Sequence, residues 1–169
     1  MIEEDFLEYS TDKLAQLSGR IQDCLGRLSM EQVWARTSAS DNSVGNLVLH
    51  LCGNLGQWIG SGLGGKPDTR QRDTEFAARG DVSAAELAER LDTTVSEAVG
   101  IILHLPHARL AERTTIQKYD VTVMEAIYHV VEHFSQHTGQ IIFATKMMTS
   151  QDLGYYKHLN QPKHFETTP

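Results

Sequence analysis

No apolar run in this 169-residue chain approaches the roughly 18 residues that a helix needs to cross a bilayer. Lys and Arg form no cluster, and 15 basic residues face 22 acidic ones for a formal charge of −7, so the electrostatic footprint of a nucleic-acid binder is missing. The first residues, Met1 to Phe6, are acidic where a secretory signal is basic. Cysteine is scarce. Cys24 and Cys52 are too few for a disulfide scaffold, suit a reducing compartment, and are expected as small core residues. A repeated strand pattern is absent as well. These gaps argue against DNA and membrane as partners and lead to the expectation of a cytoplasmic protein. At this length the chain is expected to form one domain over 1–169, with a core that needs no staples.

What the chain does have is helical periodicity. Phe6, Leu7, Leu14, Leu17, Ile21, Leu25 and Leu28 recur mostly three and four residues apart, which predicts a helix over about 3–28. Ser29 and Gln32 form a capping box for a short turn carrying Val33 and Trp34. A second long helix, over about 43–61, gathers Val44, Leu47, Val48, Leu51, Leu55, Trp58 and Ile59 on one face and stops in a glycine-rich segment ending at Pro67. A polar loop follows, with Arg70, Arg72, Asp73, Glu75 and Phe76. Ser83 and Glu86 make a capping box, with Val82 and Leu87 as its hydrophobic staple, for a third helix that ends before Pro106. Thr122 and Glu125 open a fourth over about 122–149. Residues 114–119 have an extended composition but no legible strand partner. The fold class expected is all-α: a four-helix bundle with long, unequal inter-helix loops and an irregular C-terminal tail whose Tyr155 and Tyr156 suggest packing.

The fourth helix carries His129, His133 and His137 at intervals of four, so the three rings share one side. On a 100° wheel His133 and His137 fall in or beside the apolar face of Val130, Phe134 and Ile141, while His129 lies on its border. Imidazoles at two core-facing positions suggest metal ligation. His129 and His137 are separated by roughly 12 Å of helix rise, so only an adjacent pair can reach one ion, and the buried pair is His133/His137. Two ligands rarely hold a catalytic ion, and His50 supplies the third, being the one remaining histidine inside another bundle helix. His104 and His107 border Pro106, and His158 and His164 lie in the tail. Phe134 stands where a zinc peptidase has its glutamate base, so peptidase chemistry is disfavoured. His129, Asn54 and Gln140 are candidates to orient the ligand rings from behind.

The residues resemble the DinB-like (YfiT-like) superfamily of metal-dependent enzymes. The resemblance rests on Asn46 to Leu51 with Asn54 and Trp58 in the second helix, and on His129 to His133 and His137 to Ile141 in the fourth. Arg72 to Phe76 and Asp152 to Tyr156 resemble an uncharacterised subgroup, so it covers most of the chain. It implies a bundle, often dimeric, with nickel or zinc on His50, His133 and His137. It also implies thiol-dependent transferase or isomerase chemistry with a low-molecular-weight thiol. Many relatives have a second adjacent histidine and an arginine where this chain has Gln136 and Thr138, a departure that leaves the metal pair intact.

A divalent ion on three neutral imidazoles keeps its charge and acidifies a bound water or thiol. The leading expectation is therefore thiol transfer to a small electrophile, with the metal-hydroxide hydrolase and the non-catalytic metal-binding stress-response protein as alternatives. Arg70 or Arg72 is expected to bind an anionic thiol, since guanidinium suits carboxylate. A homodimer is expected, with a small molecule as substrate.

Overall fold

A computed structural model of the chain describes residues 1–163 and 168; His164 of the tail lies outside them. Helix α1 spans Ile2–Arg27, α2 Met30–Trp34, α3 Val44–Leu55, α4 Arg72–Ala77, α5 Ala84–Leu103 and α6 Val123–Thr149. The helices begin where the sequence caps them. Ser29, Ser43, Ser83 and Thr122 each accept from the backbone N–H three residues on, and Gln32, Asn46, Glu86 and Glu125 accept the cap's own N–H in return.

Helices α1 and α3 each pack on both α5 and α6, so α1 faces α3 and α5 faces α6 across the diagonals of a four-helix bundle. The faces read from the sequence are the ones that meet. Leu14, Ile21, Leu51, Leu91, Ile127 and Phe134 lie at or below 1% exposure in one continuous core. Each such burial contributes on the order of 1.5–3 kcal/mol. Cys24 and Cys52 are buried and free. The tail packs as its tyrosines suggested: the Tyr155 hydroxyl lies 2.8 Å from Asp23 Oδ2, and the Arg20 guanidinium sits 5.4 Å over the rings of both Tyr155 and Tyr156. Among the described residues no helix is long and apolar enough to cross a membrane.

Two connections hold more structure than the sequence predicts. The segment that had no legible strand partner pairs with the residues directly after it: β1, Arg113–Ile116, runs antiparallel to β2, Tyr119–Thr122, with Arg113 opposite Thr122 and Ile116 opposite Tyr119. The turn residues Gln117 and Lys118 have φ of 50° and 69°. That mirror-image turn matches strand twist and is usually signalled by Asn-Gly, which is why the hairpin was hidden. The polar loop before α5 likewise contains the short helix α4. Beyond Leu55, α3 continues as a wide π turn, Gly56–Ser61, and the hairpin seats against the residue after it. A Cβ at Gly62 would lie 2.4 Å from Ile116 Cδ1 and 2.5 Å from the Trp58 carbonyl oxygen, so the absence of a side chain there lets Ile116 close on the helix.

Candidate metal centre

Helices α3 and α6 bring His50, His133 and His137 together. His50 is buried and the other two are half-buried, so one side of the cluster stays open, and one ring nitrogen from each lies within 4.8 Å of the others. His133 Nε2 is 3.1 Å from His50 Nε2 and 3.2 Å from His137 Nε2. Imidazole nitrogens about 2.0–2.1 Å from a tetrahedral ion stand roughly 3.3 Å apart, so the donor set fits one first-row divalent cation.

The outer ring nitrogens decide which tautomer faces inward. His50 Nδ1 lies 2.9 Å from Glu75 Oε2, and His137 Nδ1 lies 2.8 Å from Gln140 Oε1. Both partners accept, and the Glu75 carboxylate is nearer to His50 Nδ1 than the Arg70 Nη2 donor at 3.1 Å, so these contacts favour the tautomer with the proton on Nδ1 and the Nε2 lone pair toward the centre. Gln140 was among the supports the sequence suggested. Glu75 was not, because nothing local marks a carboxylate in a polar loop as the neighbour of a histidine 25 residues earlier.

Glu75 is itself fixed. Arg70 donates from Nε to Oε1 at 2.8 Å and from Nη2 to Oε2 at 2.9 Å, a two-pronged pair whose side chains are only 5% and 9% exposed. Burial alone would raise the Glu75 pKa, but the hydrogen bonds from Arg70 and His50 outweigh it and hold the carboxyl below its ordinary value. Gly53 makes room for this pair. A Cβ there would fall 1.9 Å from Glu75 Oε1.

Burial, with the neighbouring His137 and His50 rings, pushes the His133 pKa down to about 3, and burial also lowers His137 and His129. His133 therefore stays neutral through the physiological range and keeps one ring-nitrogen lone pair available for a metal. His133 Nδ1 is buried and has no hydrogen-bond partner.

The other sequence candidates occupy different places. The His129 ring stacks on Trp58 with centroids 4.2 Å apart and stands 5.7 Å from the His133 ring. Asn54 is buried one turn after His50, but the hydrogen bonds at the three ligand rings involve neither it nor Arg72. Arg72 is exposed, its guanidinium 4.9 Å over the Phe76 ring, which in turn packs 4.8 Å from His50. Arg70, the alternative, is the arginine that reaches the site.

Four helices around a shared core make a bundle whose fold is similar to that of DinB-like proteins. The chain has a TM-score of 0.66 and 14% identity to a DinB-like protein (YjoA) from Bacillus subtilis, over 90% of this chain and 97% of that one. It has a TM-score of 0.71 and 14% identity to a conserved protein from Enterococcus faecalis, over 85% and 97%. The chain belongs to the family described as Protein of unknown function (DUF1572), whose model matches residues 1–164. No curated protein matches it.

Proposed function

We propose that this protein is a metal-dependent enzyme in which His50, His133 and His137 hold a divalent ion, zinc or nickel, for transfer of a low-molecular-weight thiol to a small electrophile. The observation that carries the reading is the convergence of three Nε2 atoms, with two of the rings locked from behind by Glu75 and Gln140. Such an ion keeps its full charge on three neutral ligands and supplies Lewis acidity that favours a thiolate over a thiol at neutral pH. In the transfer the thiol proton leaves to water, sulfur forms the new bond to carbon, and the leaving group departs with the bonding pair.

The chain's own residues do the positioning. Arg70 and Glu75 hold the His50 ring, and Gln140 holds His137. Because Arg70 is spent on Glu75, the exposed Arg72, stacked on the Phe76 ring that packs against His50, takes the carboxylate of an anionic thiol.

The test is metal analysis of untagged protein, comparing wild type with His50→Ala, His133→Ala and His137→Ala, followed by turnover of an alkylating substrate with and without added thiol. Metal at about one equivalent in wild type only, and thiol-dependent turnover, are expected. Equal metal in all four proteins would overturn the ligand set, and turnover indifferent to thiol would assign hydrolysis instead.

A further inference from the structure

A cavity lies beside the histidine cluster and shares with it only Gln140, the partner of His137. Between α3, α6 and the segment after α2, a groove of about 550 Å³ is walled by Leu47, Phe143, Ala144, Met147 and Met148, a size that suits a small molecule. Phe143 and Met147 stand 68% and 69% exposed, an apolar surface left open among the described residues. The groove runs up to the triad on both walls. Leu47 lies one helical turn before His50, and Gln140, which also lines the groove, is the residue that accepts from His137 Nδ1.

The groove also contains a cation without a counter-ion. Arg36 donates from Nη2 to Asn46 Oδ1 at 2.6 Å and to the Phe76 carbonyl at 2.9 Å, which fixes it in place. Its Nε is buried with no partner, and among the described residues no carboxylate bonds to it. The one acidic residue in the lining, Asp41, is in the loop with its carboxylate accepting from Thr37. A half-buried guanidinium that lines an apolar wall and has no carboxylate partner favours an anion with an apolar body, although its buried Nε does not itself open onto the groove.

We propose that this groove binds the electrophile, and that the electrophile is an amphipathic carboxylate: its carboxylate on Arg36, its apolar body against Leu47, Phe143 and Met147, and its reacting end toward Gln140 and the triad. This rests on the metal-site reading for the direction of the reacting end, but the groove's own recognition can be measured without it.

The experiment is isothermal titration of the full-length protein with 4-phenylbutyrate and with its neutral amide, with metal content measured on every sample. Wild type is expected to prefer the carboxylate. Arg36→Met removes that preference, weakening the carboxylate roughly tenfold while leaving the amide unchanged. Since Arg36 also braces Asn46, the exposed Phe143→Glu serves as a second variant that leaves the core alone, and it weakens the carboxylate more than the amide. Equal binding of the two probes by wild type, or carboxylate binding indifferent to both variants, overturns the proposal. His50→Ala separates the two readings: loss of metal with carboxylate binding retained supports both. Metal retained in His50→Ala sinks the ligand set alone, and metal-replete wild type without carboxylate preference sinks the groove alone.

Discussion

The His50 ring is held by a carboxylate that carries no sequence signature. Glu75 accepts from His50 Nδ1 and is gripped in turn by Arg70, and the pair fits only because residue 53 is glycine. Partners of this kind typically change metal affinity 10- to 100-fold when removed. Glu75→Gln preserves shape but no longer favours the Nδ1–H tautomer, so metal affinity is expected to fall by about that factor in a competition with a chromogenic chelator. An unchanged affinity would show that His50 needs no such support. The clustering of the three histidines, by contrast, was legible in part: a helical period puts His133 and His137 on one face, and His50 was the one other histidine inside a bundle helix. Asn54 was suggested by its place one turn after His50 and Arg72 by its suitability for a carboxylate; the fold buries Asn54 on α3 and leaves Arg72 exposed over the Phe76 ring, while Arg70 is the arginine that reaches Glu75.

At the scale of elements, caps and apolar stripes determined the four long helices, and turn chemistry decided the rest. The β1–β2 hairpin escaped notice because Gln117 and Lys118 adopt a turn usually made by Asn and Gly. Its docking depends on Gly62. In Gly62→Ala the new methyl meets both Ile116 and the Trp58 carbonyl, so either the hairpin or the helix end must shift. Overpacking of this kind costs about 1–3 kcal/mol, or roughly 2–4 °C of Tm per kcal/mol in a chain of this size. A thermal melt unchanged by Gly62→Ala would mean the hairpin contributes nothing to the bundle. The same hairpin brings Tyr119 to within 6.4 Å of the Trp58 ring, which carries His129 on its other contact, so its loss would be felt beside the ligand cluster.

At the scale of the whole molecule, folding brings His50, His133 and His137 together, so a metal that binds them would be linked to folding through the same imidazoles. In the ion-free protein the His133 pKa is lowered from 6.5 to about 3, so as pH falls through that window the unfolded chain takes up a proton that the folded chain refuses. Stability contributed above pH 6.5 is therefore lost progressively on acidification, and His133→Gln flattens that part of the slope in melts recorded from pH 7 to 4. Zinc at about 100 times its Kd is expected to stabilise the folded chain by about 2.7 kcal/mol, raising Tm by roughly 5–10 °C in wild type and not in His50→Ala. A wild-type melt that ignores zinc would contradict a site formed by folding.

The sequence by itself determined the all-α class, the four long helices and the inward face of each, because helical periodicity and capping are local properties of neighbouring residues. It also placed His133 and His137 in or beside the apolar face of α6 and left His50 as the one other histidine inside a bundle helix. Only the tertiary structure decided what surrounds them. Glu75 and Arg70 reach His50 from a loop folded into α4, the hairpin packs on Gly62, and the apolar groove with Arg36 forms between elements distant in the chain. Contacts of that kind depend on where elements land relative to one another, and no local pattern encodes that.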